Sequence, residues 1–91
     1  MKNKDIDTRF EEAVELANAM TQASLPQDVQ LRLYALYKQA TLGTIDSRIF
    51  PVYDLRNAFK MNAWLQISHL SIAQAKEEYI LNINELASKK N

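Results

Sequence analysis

Outside residues 44–53, the apolar side chains from residue 7 to residue 87 return every three or four positions, and only one glycine and two prolines in 91 residues stand in their way. That period belongs to helices, since a half-buried strand would bring its apolar side chains back at every second residue. Four segments result, divided at the breakers. The first spans roughly Asp7 to Met20, with Phe10, Val14 and Ala17 along one face and Arg9, Glu11, Glu12 and Glu15 largely on the other. Ser24 with Gln27 three residues on, and Pro26 in the first turn, reads as a capping box that opens a second helix. This helix runs from about Leu25 to Thr41 over a core stripe of Val29, Leu33, Leu36, Tyr37 and Ala40, and Gly43 ends it in a left-handed turn.

The period fails from Thr44 to Tyr53, where Phe50-Pro51 demands extended or turning backbone. Ile45, Ile49, Phe50, Val52 and Tyr53 make this loop apolar enough to pack over another element. Asp54 caps a third helix to about Ser68. Leu55, Ala58, Phe59, Met61, Ala63, Trp64 and Leu65 are too many for one stripe, so cover on two sides is expected. Ser71 and Gln74 repeat the capping box and open a fourth helix to about Ala87, with Ile72, Ala75, Tyr79, Ile80, Ile83 and Leu86 inward.

Length and composition narrow the function. Residues 1–91, 47% apolar and 24% charged, suffice for one domain and one core. A chain of this size buries only about 60% of the surface its unfolded form exposes, so helix packing must supply its stability. No cysteine is present, which excludes disulfide scaffolds and thiolate metal or redox sites. Eleven Lys and Arg balance eleven Asp and Glu, whereas a dedicated nucleic-acid binder carries a basic excess. Neither the apolar core of a signal peptide nor a membrane-length apolar run occurs. The expectation is a cytoplasmic protein without membrane insertion.

Enzymatic constellations are scarce. One histidine, His69, and scattered carboxylates do not make a metal site. His69 falls in the connection between the third and fourth helices, where a solvated side chain is the ordinary outcome. No serine has a nucleophile-elbow context, and there is no glycine-rich phosphate loop. What remains is a run of aromatic and cationic residues, with Leu31, Tyr34 and Lys38 climbing one edge of the second helix. Its structural reading puts Tyr37 and Trp64 in the core and leaves the lysines to snorkel. Its functional reading has a phenol and an ammonium one turn apart share an anionic oxygen while an aromatic face takes a planar base.

The run Leu31-Arg32-Leu33-Tyr34-Ala35-Leu36-Tyr37-Lys38-Gln39-Ala40-Thr41-Leu42-Gly43 resembles the signature of the acyl-CoA-binding protein family, written around Tyr-Lys-Gln-Ala-Thr-x-Gly. Phe10, Lys60 and Trp64 in a Lys-x-x-Ala-Trp setting, and Ala75 with Tyr79-Ile80 extend the resemblance over nearly the whole chain. It implies an all-α fold, an antiparallel four-helix bundle in up-down-down-up order. The implied activity is non-catalytic binding, sequestration and intracellular transport of medium- to long-chain fatty acyl-CoA thioesters, with acyl-CoA as ligand, no cofactor and no metal. In that family the motif tyrosine and lysine, here Tyr34 and Lys38, hold the ribose 3′-phosphate. Lys60 matches a third-helix lysine at the phosphate and adenine region, Tyr79 lies against the head group, and Tyr37 shares in the contact. Gln39 is a structural member of the motif. A monomer that passes its ligand to acyl-CoA-using enzymes is the implied partnership, and a helical module gripping a partner's amphipathic helix is the rival. Met61 stands where the family commonly has an aromatic, Asn18 replaces a first-helix lysine, Thr44 stands where aspartate is frequent, and Arg48-Ile49-Phe50-Pro51 replaces Arg-Pro-Gly. These departures bear on affinity and acyl-length preference more than on the activity.

Overall fold

A computed structural model describes residues 5–20, 24–43 and 55–88. Its four helices are α1 (Ile6–Ala19), α2 (Gln27–Leu42), α3 (Leu55–Gln66) and α4 (Ile72–Ser88). The apolar segment 44–53 with Arg48, the Asp54 cap and the last lysines lie outside the described residues.

Capping chemistry sets the helix starts. Ser71 and Gln74 form the expected reciprocal box: the Gln74 N–H donates to Ser71 Oγ at 3.0 Å and the Ser71 N–H to Gln74 Oε1 at 2.9 Å. The N-cap of α2 is not Ser24, as the box expected at Ser24 and Gln27 required. Pro26 takes the N-cap position with extended ψ and no side-chain cap, and Gln30 Nε2 instead donates to the Leu25 carbonyl at 2.8 Å. The first helix begins one residue before Asp7, because Asp5 Oδ1 accepts the Thr8 N–H at 2.8 Å. Gly43 ends α2 at φ 82° as its position required, and its N–H donates to the Gln39 carbonyl.

The Thr8 backbone donor holds the Asp5 carboxyl below the ordinary carboxylate range, with the charge of Lys76 a smaller cause. A depressed folded-state value stabilises above the unfolded value of about 4 and is lost as pH falls through the lower folded one. Asp5→Asn, which keeps a cap acceptor, is therefore expected to flatten part of the acid limb of a stability-against-pH curve, followed by circular dichroism. An acid limb identical to the parent's would show that the cap does not contribute.

Contacts between helices give their directions. Arg9 faces Glu77, while Leu16 shares a cleft with Asn84, so α1 and α4 run parallel. Gly43 approaches Ile72 and Arg32 approaches Glu78, so α2 opposes α4. Lys60 lies by Tyr34 and Trp64 by Gln39, so α3 follows the sense of α2. The order is up-down-down-up. The main core joins α1, α2 and α4 through Phe10, Ala13, Ala17, Leu33, Leu36, Ala40, Ala75, Tyr79, Ile80 and Ile83. A smaller cluster of Ala35 and Trp64, flanked by Met61, Ala63 and Ile67, seats α3 on α2.

Several expected inward residues sit elsewhere. Tyr37 is 39% exposed, and Ile72, Phe59 and Leu65 are exposed as well. The third helix is not covered on two sides among the described residues, because its main contact is α2 alone and Trp64 is its one buried side chain there. Gln39, 1% exposed, is buried by the double contact of α2 with α3 and α4. Its amide accepts the Trp64 indole N–H at 2.9 Å and donates to the Leu70 carbonyl at 2.7 Å, which makes it the polar pin of the bundle.

Candidate functional site

Tyr34, Tyr37 and Lys38 project from one side of α2 because residues three and four apart are neighbours on a helix. The Tyr34 ring receives two cations, Lys38 Nζ at 5.6 Å and Lys60 Nζ from α3 at 5.1 Å from its centroid. Each cation–ring contact is worth only about 0.5–1 kcal/mol near solvent, so a shared ring does not neutralise two like charges. Among the described residues neither ammonium is paired with a carboxylate. Burial raises the Tyr34 phenol above its ordinary value, which keeps it a neutral O–H donor at physiological pH. A phenol with two ammonium groups about its ring offers the donor types that a phosphate dianion requires.

A second group is aromatic. Phe10 lies 5.2 Å from Tyr79 and 6.1 Å from Tyr37, and the two tyrosine rings are 6.1 Å apart. Distances of this size are those of favourable edge and offset ring pairs. Tyr79 is only 5% exposed, and its phenol is pushed up by burial and then by the neighbouring Tyr37. The exposed part of this platform is thus Tyr37. The five site residues read from the sequence fall into these two groups: Tyr34, Lys38 and Lys60 converge, while Tyr37 and Tyr79 meet over Phe10. The α2 side carrying Tyr34 and Tyr37 joins them.

Sequence reasoning missed Lys76, whose Nζ lies 5.8 Å from the Phe10 centroid and 2.5 Å from Asp7 Oδ1. Its spacing three residues before Tyr79 on α4 was the available signal. Arg32, one of the cations available to an anion, instead approaches Glu78 at 3.8 Å.

Between α2 and α3 a cleft of about 430 Å³ has Leu31, Ala35, Phe59, Ala63 and Ile67 as apolar walls and Asp28, Arg32, Asn62 and Gln66 as polar lining. It gives apolar matter a place between the two helices that carry Tyr34, Lys38 and Lys60. His69 is exposed in the turn before α4. Among the described residues no three metal-ligating side chains converge, and no helix is long and apolar enough to cross a membrane.

Comparison with known proteins extends beyond this geometry. The profile of a family described as "Acyl CoA binding protein" matches residues 7–83. The chain is 36% identical over 81 residues to the acyl-CoA-binding protein of Saccharomyces cerevisiae, covering 88% of this chain and 91% of the yeast protein. Its fold superposes on the crystal structure of Oryza sativa acyl-CoA-binding protein 2 with a TM-score of 0.85 over 93% of both chains, at 28% identity. A similarity to rat enoyl-CoA delta isomerase 2, 37% over 79 residues, spans 81% of this chain but 20% of that enzyme.

Proposed function

The chain belongs to the acyl-CoA-binding protein family, and from that premise we propose that it binds medium- to long-chain fatty acyl-CoA thioesters, sequesters them and carries them between enzymes without converting them. The observation that carries the reading is the pair of ammonium groups brought by α2 and α3 to the Tyr34 ring within a chain that matches the family over residues 7–83. Tyr34, Lys38 and Lys60 hold the ribose 3′-phosphate, Tyr37 offers its exposed ring to the head group, and Tyr79 supports that ring from the core.

Attraction to the ligand is local, because the formal net charge is zero. Tail burial in the cleft adds about 0.8 kcal/mol per methylene, so affinity rises with acyl length until the apolar walls end. The role is a binder's: the residues gathered at the site donate hydrogen bonds and positive charge. The isomerase similarity involves a fifth of that enzyme and carries none of its chemistry to this chain. The protein acts as a cytoplasmic monomer, with acyl-CoA-using enzymes as its partners and no cofactor.

Incubation with palmitoyl-CoA tests the reading. One equivalent should bind saturably, and the thioester should be recovered intact after prolonged contact. Steady loss of thioester would contradict a carrier. Binding of an amphipathic helical peptide in preference to palmitoyl-CoA would favour the interaction-module alternative.

A further inference from the structure

The phosphate grip of Tyr34, Lys38 and Lys60 leaves Lys76 without a part, yet Lys76 reaches the aromatic platform from its α1–α4 edge. Its ammonium is drawn in over Phe10, the ring that meets both Tyr37 and Tyr79. The Lys76 side chain is 20% exposed, while its Asp7 partner is 70% exposed. With its stem largely packed away, Lys76 sets its ammonium beside both an anion and a ring face. Of the two, the anion is the replaceable one. Asp7 belongs to the first turn of α1 and gives up little by turning back to solvent, as exposed ion pairs are weak. The neighbouring pair on the same seam, Arg9 with Glu77, is self-contained. Asp5 also feels the Lys76 charge, so two acids at one helix terminus share this single cation.

We infer that Lys76 is a further ligand-binding residue. With the nucleotide head group against the exposed Tyr37 ring, Lys76 exchanges Asp7 for the ligand's diphosphate, and Asp7 is an internal competitor for the same cation. The inference rests on the acyl-CoA reading above. Coenzyme A carries its 3′-phosphate and its diphosphate on different oxygens of one ribose. A head group gripped at the first by Lys38 and Lys60 presents the second to a separate cation, and among the described residues Lys76 is the one at the platform.

The test is calorimetric titration of palmitoyl-CoA into the parent, Lys76→Gln, Lys76→Arg and Asp7→Asn proteins at low and physiological salt. Lys76→Gln is expected to weaken binding about tenfold or more, as loss of a charge-assisted hydrogen bond does. Its salt dependence should be shallower than the parent's, and Lys76→Arg should restore most of the loss. Asp7→Asn should tighten binding, and it reports independently should Lys76→Gln fold poorly. Palmitoyl dephospho-CoA, which keeps the diphosphate, should lose the same factor on Lys76→Gln. Unchanged affinity and salt dependence in both Lys76→Gln and Asp7→Asn, alongside firm binding by the parent, would overturn the inference and reduce the pair to an α1–α4 strut. A parent that fails to bind palmitoyl-CoA would instead overturn the acyl-CoA reading itself.

Discussion

Leu36→Ala is expected to destabilise the protein by about 3 kcal/mol, within the range for a fully buried leucine reduced to alanine. Leu36 is 0% exposed and belongs to the core that joins α2 to α1 and α4. Truncation there removes apolar burial and leaves a void that helices held from two sides cannot close. Small domains are stable by only about 5–15 kcal/mol, so the loss is a large share of the whole. Leu81 is the control. It is 61% exposed on α4, and Leu81→Ala should stay within about 0.5 kcal/mol of the parent. Urea titrations with an unchanged slope and a shifted midpoint for Leu36→Ala alone would bear this out, whereas equal midpoints for both variants would disprove the core assignment.

The second large effect concerns the phosphate grip. Lys38→Ala should weaken palmitoyl-CoA binding by about 1.5–3 kcal/mol, the usual worth of a hydrogen bond to a charged group. Tyr34→Phe should cost less, because it deletes a neutral donor and leaves the ring on which Lys60 also rests. Palmitoyl dephospho-CoA lacks the 3′-phosphate alone, so the parent should bind it more weakly, and Lys38→Ala should then cost little more. Both changes delete one interaction, and their energies should fail to add. A lysine that merely raised the local potential would still act on the remaining phosphates. Additive losses at fixed salt would thus reject direct contact between Lys38 and the 3′-phosphate.

Much of the fold was legible because helix period and capping are local. The spacing of Phe10 and Ala17, of Leu33, Leu36 and Ala40, and of Ala75, Tyr79, Ile80 and Ile83 marked faces that are indeed buried. Ser71 and Gln74 announced their box from three-residue spacing alone. Periodicity does not give the angle at which one helix crosses another, and the misses gather there. Because α2 touches α3 on one side and α4 on the other, its buried arc widens to include Ala35 and Gln39 and turns Tyr37 partly outward. Trp64 and Gln39 are 25 residues apart, and their hydrogen bond depends on how α3 returns across α2. The two halves of the candidate site differ in the same way. Tyr34 and Lys38 follow from one helical turn, while the approach of Lys60 from α3 was implied by family resemblance, and the three-residue spacing of Lys76 and Tyr79 does not show that α1 brings Phe10 and Asp7 to meet Lys76.

The central claim is that one site grips nucleotide phosphate and acyl tail together. Calorimetric titration of the intact protein with palmitoyl-CoA, free coenzyme A and palmitate, at one salt concentration, tests it most directly. The account predicts saturable one-to-one binding of palmitoyl-CoA, much weaker binding of coenzyme A, and no measurable binding of palmitate. Palmitate bound as tightly as palmitoyl-CoA, or palmitoyl-CoA bound no better than coenzyme A, would contradict it.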